Sequence, residues 1–461
     1  MSTRKESDSM GQLDVPSEAL YGATTQRAKL NFPISDLKFG RTFINSISEI
    51  KLASAQTNQE LGVLSKEIAE AIIKASKEVS EGKHDKEFIV DIFQTGSGTS
   101  TNMNTNEVIS NVAIKNLGGK IGSRNPVHPN DHVNKGQSSN DVIPTAIHIA
   151  GCLSINNSLI PSLKILKNSL LKKSEEFWSV IKTGRTHLQD ATPIRLGQEF
   201  LGYAGQIELS INRLEGALNE LSFLALGGTA VGTGIGMQKG FSKKVIEKLS
   251  QRFDIKFSES PNHFQSQSTI DAIVQASGSL KTTAVSLMKI GNDIRWLGSG
   301  PRAGIGEISL PEVQPGSSIM PGKINPVIAE SLTMVCAQVI GNDQTITIAG
   351  QSGNFELNVM MPVAAYNILQ SVDLLSSSSR NFAVQCIDGL SATDKGPNMV
   401  ENGLAICTAL APKIGYDNAA NIAHIASSSG ESILEVAIRE TEYSAEELKV
   451  ILNAEKMTEP S

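Results

Sequence analysis

The sequence predicts a mainly α-helical protein of three zones, with its longest helices in the middle. Three observations carry that expectation. Apolar residues recur with the helical period, as in Ile68, Ile72, Ala75 and Val79. A longer stretch, from about Thr269 to Leu297, lines Ile273, Leu280, Ala284, Leu287 and Ile294 along one face with no proline inside. That length exceeds an ordinary helix and suits a bundle. Strand signals are weak, and no run of βαβ units is found.

Composition narrows the class of function. A chain of 461 residues exceeds one ordinary domain of ~150 residues and can bury a large core. Hydrophobic residues at 40% against 19% charged exclude disorder as the bulk state. The 41 basic and 47 acidic residues are interspersed and sum to −6, so no broad footprint for nucleic acid is expected. No apolar run approaches the ~20 residues of a membrane span. The opening residues, Met1-Ser-Thr-Arg-Lys-Glu-Ser-Asp8, lack an apolar core and carry acids, unlike a secretory signal or a transit peptide. Cys152, Cys336, Cys386 and Cys407 are far apart. Neither a disulfide scaffold nor structural zinc is expected, and a reduced, cytoplasmic setting is.

The zones follow in chain order. Residues 1–138 mix short helices with polar, glycine-containing loops. Residues 139–393 hold the long helices, with Leu332, Val335 and Val339 continuing the period. Asp394-Lys-Gly-Pro-Asn398 marks a break. Residues 394–461 carry short helices, among them Ser444-Ala-Glu-Glu447, which reads as a capping box.

Five segments depart from amphipathic patterning. Gln94 to Glu107 holds Gly96 and Gly98, which let backbone approach a ligand, and Ser97, Thr99 and Asn102 as uncharged hydrogen-bonders. A helix starting there would favour a carboxylate or phosphate; the plain alternative is a glycine turn and a polar cap. His128-Pro-Asn-Asp131 leads into Asn134-Lys-Gly-Gln-Ser-Ser-Asn-Asp141. His128 and His132 have metal-binding spacing, but Pro129 argues for a turn and the ligand set is incomplete. Ser138, Ser139 and Asn140 suit an anionic ligand, or else a helix cap. Gly184 to Pro193 sets His187 beside Thr186, and histidine can accept and return a proton near neutral pH; a structural histidine is the alternative. Leu226 to Gly236 has the glycine content of a phosphate loop without GxxxxGK[ST], so a tight, flexible connection is expected. Pro315-Gly-Ser-Ser-Ile-Met-Pro-Gly-Lys-Ile-Asn-Pro326 is the strongest signal. Its prolines and glycines forbid an ordinary helix while it concentrates Ser317, Ser318, Lys323 and Asn325, the makings of a loop that closes over substrate.

Together these motifs resemble the fumarase/aspartase superfamily and, within it, the class II fumarases, from Tyr21-Gly-Ala-Thr-Thr-Gln26 to the C-terminal segment. The fifth segment is similar to the superfamily signature GSSxMPxKxNPxxxE and meets every fixed position through Glu330. Aspartases share that loop but typically carry glutamine at the place of His187, MPAK for Met320-Pro-Gly-Lys323, and GAGT for Gly96-Ser-Gly-Thr99; all three positions here resemble fumarase. Gln351 to Asn358 is also fumarase-like, and Pro126 to Val133 resembles the mitochondrial and alphaproteobacterial branch. Two departures stand out. Gly236 replaces the asparagine of the usual GTGLN, and Asn125-Pro126, with Arg124 displaced, occupies the place of a basic residue before the HPND turn.

The resemblance implies a three-domain helical subunit, a homotetramer around a twenty-helix core, and active sites shared among three subunits. It implies fumarate and L-malate as substrates, with no metal, nucleotide or iron–sulfur cofactor, and no nucleic-acid or membrane partner. It assigns the base to Ser317, a water-handling role to His187, and to Glu330 the task of holding that histidine. It assigns substrate binding to Ser97, Gly98, Thr99, Ser138, Ser139, Asn140, Thr186, Ser318, Lys323, Ile324 and Asn325. A second, peripheral dicarboxylate site would comprise His128, Pro129, Asn130 and Asp131. Lens crystallins of the superfamily serve as structural proteins; the presence of Ser317, Lys323 and His187 favours an enzyme.

Overall fold

A computed structural model describes residues 2–460; Met1 and Ser461, the outer ends of the first and third expected zones, lie outside the described residues. The chain opens on a β-hairpin that weak strand signals do not predict, β1 (Thr3–Asp8) paired antiparallel with β2 (Gly11–Pro16). Its alternation is of charged and polar residues, with only Glu6 and Val15 buried. Helices α1 (Ala23–Asn31), α2 (Arg41–Glu60), α3 (Lys66–Ser80), α4 (Thr99–Asn116) and α5 (Ser139–Ser154) follow.

Helix α3 forms for the reason its sequence suggests. Ser65 accepts the Ile68 N–H as N-cap, Glu67 sits in the positive first turn, and Lys77 in the negative last turn. Ala69, Ile72, Ala75 and Val79 are buried on one face. The predicted long helix is also present, as Asp271–Leu297, with Ile273, Leu280, Ala284, Leu287 and Ile294 fully buried. In the helix Val327–Gly350, Leu332 and Val339 are buried and Val335 is half-buried. The Ser444 capping box with Glu447 is formed.

The chain divides into two compact units, each assembled from three separated stretches. The first comprises Met1–Pro161, Asn212–Thr282 and Ala337–Leu375. In it α2 packs on α3, α5 and the helix Phe241–Phe253, and α3 packs on α4. Ile44, Ile72, Val79, Val108, Val112 and Val127 are in its core. The second comprises Ser162–Ile211, Thr283–Cys336 and Ser376–Ser461. It contains the antiparallel hairpin β3 (Ile181–Thr186) and β4 (Gln189–Arg195). It also holds a C-terminal cluster around Leu410, Ile422, Val436 and Leu448.

One helical run, Ser139–Glu176, is long and apolar enough by composition to cross a membrane, which the sequence reading does not anticipate. Within its most apolar window 61% of residues are buried in the protein, as in a core helix.

Candidate active site

The first two candidate segments meet within the first unit. Helix α4 starts at Thr99, after Gly98 in the left-handed region at φ +73°. The Ser97 and Thr99 hydroxyls share a hydrogen bond of 2.8 Å. Gln94 Oε1 accepts the Thr101 N–H at 3.0 Å and its hydroxyl at 2.9 Å, closing the glycine loop onto the helix. Although polar, α4 is buried nearly throughout, and its side chains are engaged. Glu107, for one, accepts the Gly22, Thr24 and Thr25 N–H groups at the start of α1, where the helix dipole favours a carboxylate.

Ser138 is the N-cap of α5 and forms a capping box with Asp141. The plain alternative for Ser138 is therefore realised. Ser139, next in line, is buried, and its Oγ accepts from Asn102 Nδ2 at 2.9 Å. That bond joins the starts of α4 and α5. Asn140 Nδ2 donates to the Ala230 carbonyl at 2.8 Å. The Asp141 carboxylate, fully buried, accepts the Gly227 and Thr229 N–H groups at 3.1 and 2.9 Å. Burial raises its pKa against the pull of these donors. The glycine segment 226–236, expected as a flexible connection, is thus tied down at Gly227, Thr229 and Ala230.

The peripheral candidates form a self-contained turn. His128 Nδ1 accepts the Asn130 and Asp131 N–H groups, each at 3.2 Å, and His132 Nδ1 accepts the His128 N–H at 2.9 Å. Burial lowers the His132 pKa and favours the neutral ring that can accept. Pro129 is buried in this turn, while Asn130 and Asp131 are exposed.

In the second unit, β3 and β4 present His187 at their tip. Thr186 pairs with Gln189, leaving His187 and Leu188 as a two-residue turn. Both have left-handed φ values, +58° and +59°, as in a type I′ hairpin that usually takes Asn-Gly. Two such non-glycine residues in succession store strain, a feature that clusters at functional sites. Thr186, His187 and Leu188 are all exposed. Behind them the hairpin is anchored by charge. Arg185 donates to Glu307 Oε1 at 2.8 Å. Lys182, buried, stands 3.1 Å from Glu307 and 3.2 Å from Glu199 as ion pairs, while neither Oε2 accepts a hydrogen bond among the described residues.

The signature segment forms a closed loop. Asn325 Nδ2 donates to the Gly316 carbonyl. Gly316 lies so close to the returning strand that a Cβ there would sit 1.8 Å from the Lys323 carbonyl oxygen, so only glycine fits. Ser317 Oγ accepts the Met320 and Ile319 N–H groups at 3.0 and 3.3 Å. Ser318, Lys323 and Ile324 are exposed, and Lys323 forms no ion pair among the described residues. Glu330 lies in the first turn of Val327–Gly350. With Ile324, Arg295 and Trp296 it lines a cleft of ≈ 390 Å³. Among the described residues, His187 and Glu330 of one chain share no hydrogen bond.

Sequence reasoning overlooks one participant, Lys51. It lies on α2, fully buried, and donates to Asn134 Oδ1 at 2.9 Å and Gln137 Oε1 at 3.0 Å. The trace in sequence is slight, a lysine set between Ile50 and Leu52. No group of three or more His, Cys, Asp or Glu able to hold a metal forms among the described residues.

The first unit thus gathers hydroxyls and amides at the starts of α4 and α5, and the second presents an exposed histidine and an exposed lysine on loops. Residues 11–341 match the family described as Lyase, and residues 406–459 match the fumarase C C-terminus. Among similar proteins are "Fumarate hydratase class II 2" of Bradyrhizobium diazoefficiens, 48% identical over 99% of this chain and 97% of that protein, and "Fumarate hydratase class II" of Rickettsia bellii, 50% identical over 99% of both. The recombinant class II fumarase of Schistosoma mansoni has a crystal structure that superposes with a TM-score of 0.97, at 41% identity over 99% of both chains. The chain belongs to the class II fumarate hydratase family.

Proposed function

We propose that this protein catalyses the reversible, anti hydration of fumarate to L-malate. The observation that carries the reading is the state of Ser317, whose Oγ already receives two backbone N–H groups on a loop that also carries the unpaired Lys323. A serine hydroxyl is a poor base unless its alkoxide is stabilised, and two backbone amides on a loop that also carries an ammonium support such an environment. In the dehydration direction Ser317 removes the proton on the carbon next to one carboxylate. Negative charge then accumulates on that carboxylate as an aci-dianion. Lys323 stabilises that charge, while Asn325, Thr99, Ser139 and Asn140 hold the carboxylates. The protein's net charge of −6 makes this local field necessary. His187, working through a water, protonates the departing hydroxyl. Ser97, Gly98, Ser138, Thr186, Ser318 and Ile324 complete the pocket.

Oligomerisation is part of the same proposal. His187 is exposed and shares no hydrogen bond with Glu330 of its own chain among the described residues, which supports a site in which Glu330 of another copy orients it. Leu209, Val285, Trp296, Met334 and Val384 are exposed on long helices, an apolar surface that supports a homotetramer built on those helices. The zones 1–138, 139–393 and 394–461 would then be the three domains of each subunit. Four free thiols, three of them buried, support a reducing, cytoplasmic setting.

The test is direct. Purified, chelator-treated protein is mixed with L-malate while the ultraviolet absorbance of the new double bond is followed, with L-aspartate in parallel. Malate-dependent signal is the expected result. Signal with aspartate alone would replace the hydratase reading with an amino-acid lyase.

A further inference from the structure

Lys51 is 0% exposed, yet no ion pair is formed by it among the described residues. Its charge is instead met by two side-chain amides, those of Asn134 and Gln137. Nζ is the donor in both bonds, so both amides turn their oxygens toward it. The other ends of these amides agree. Asn134 Nδ2 donates to the Gln137 carbonyl at 3.1 Å, and Gln137 Nε2 donates to the Val133 carbonyl at 3.1 Å.

The orientation propagates. Asn134 Oδ1, committed as an acceptor, also takes Asn102 Nδ2 and Asn106 Nδ2, each at 3.2 Å. Asn102 Nδ2 in turn donates to Ser139 Oγ at 2.9 Å. Asn102 Oδ1 and Asn106 Oδ1 are left buried with no hydrogen-bond partner. Two unsatisfied buried carbonyls are costly, and flipping either amide would face its oxygen against Asn134 Oδ1. The network therefore has a direction, set at the lysine and ending at a serine whose oxygen accepts from the interior and whose proton must point elsewhere.

We infer that Lys51 is a positioning residue for dicarboxylate binding: through Asn134 and Asn102 it orients the Ser139 hydroxyl as a donor to a substrate carboxylate. The inference rests on the reading of Ser139 as a carboxylate ligand. Asp141, on the same helix as Ser139, is the charged group that Lys51 senses most, and its carboxylate is already held by the Ser138, Gly227 and Thr229 N–H groups.

A double-mutant cycle separates this role from a merely structural one. In the otherwise unaltered enzyme, Ser139→Ala should raise the KM for L-malate about tenfold, the scale of one hydrogen bond to a charged group, and change kcat far less. In a Lys51→Met background, where the amides are free to flip, the same Ser139→Ala change should raise KM less than about twofold. A full tenfold effect in both backgrounds would overturn the inference and leave the carboxylate reading intact. No effect of Ser139→Ala on KM in an enzyme that turns over malate normally would overturn both. If Lys51→Met fails to fold, Lys51→Gln carries the same cycle, because an amide at that position can accept as well as donate and so removes the direction without removing polarity.

Discussion

Burying Lys51 should make the protein more stable as the pH rises through the neutral and mildly basic range. Burial draws the pKa of this ammonium from its ordinary 10.5 down to about 7, with the Asp141 carboxylate pulling the other way and losing. In the unfolded chain the same group is solvated and titrates near 10.5. Between the two values the unfolded state holds one proton more than the folded state, so unfolding becomes less favourable as pH increases. The full difference is worth about 5 kcal/mol at 1.36 kcal/mol per pH unit. Below pH 7 that cost is fully in force, and it is relieved progressively up to about pH 10.5. Between pH 7 and 9 the gain is about 2 kcal/mol. Urea unfolding at fixed protomer concentration, at pH 7 and pH 9, measures it, with Lys51→Met as the reference that lacks this titration; the hydrogen bonds it also loses shift both pH values and drop out of the difference. The variant's stability should fall behind the parent's by about 2 kcal/mol more at pH 9 than at pH 7. An identical pH dependence in the two proteins would refute the reasoning and return Lys51 to an ordinary pKa.

Four further outcomes are expected in the functional site. Ser317→Ala should lower malate turnover ~10²–10⁴-fold while sedimentation shows the same assembly as the parent; near-parental turnover would remove the base assignment. His187→Asn should lower turnover ~10²-fold with the hairpin intact by circular dichroism, because asparagine tolerates the left-handed backbone that position 187 adopts; an unchanged rate would free His187 from handling the water. Gly316→Ala should abolish activity, since its Cβ would fall 1.8 Å from the Lys323 carbonyl oxygen and force the loop open; steady-state kinetics decide it. Gly236→Asn should be accommodated, with a change in melting temperature of a few degrees at most, because φ is +78° and no atom lies within 4 Å of the added Cβ; a lower KM for L-malate would show that the asparagine usual in the family contributes to binding.

Periodicity made some elements readable and hid others. The helices at Lys66–Ser80 and Asp271–Leu297 bury one apolar stripe each, so their spacing is visible along the chain. Helix α4 buries both apolar and polar residues nearly throughout. Its stabilisation comes from side-chain hydrogen bonds to distant parts of the chain, such as Asn104 to the Glu87 carbonyl, and no one-dimensional pattern encodes those. The β3–β4 hairpin lacks the Asn-Gly signal because His187 and Leu188 occupy its turn, so the turn that presents the candidate histidine is the one that sequence rules pass over. Thr99, Ser139, Ser317 and Lys323 could be singled out because polar groups and glycines concentrate around them. Lys51 could not, since its importance depends on what α5 and the preceding turn bring against α2.

The interleaving of the two units bears on how the protein is made. The first unit needs Ala337–Leu375, and the second needs Ser376–Ser461. A ribosome must therefore deliver most of the chain before either unit has all its pieces. Domains that are contiguous in sequence can fold one after another as they emerge; these cannot. The nascent chain carries buried-to-be faces such as Ile273, Leu280 and Leu287 for a long interval, exposed to wrong partners and within reach of chaperones. A nonsense codon anywhere before residue 376 would leave the second unit without its last stretch, so truncated products should be cleared by proteases rather than persist as stable fragments.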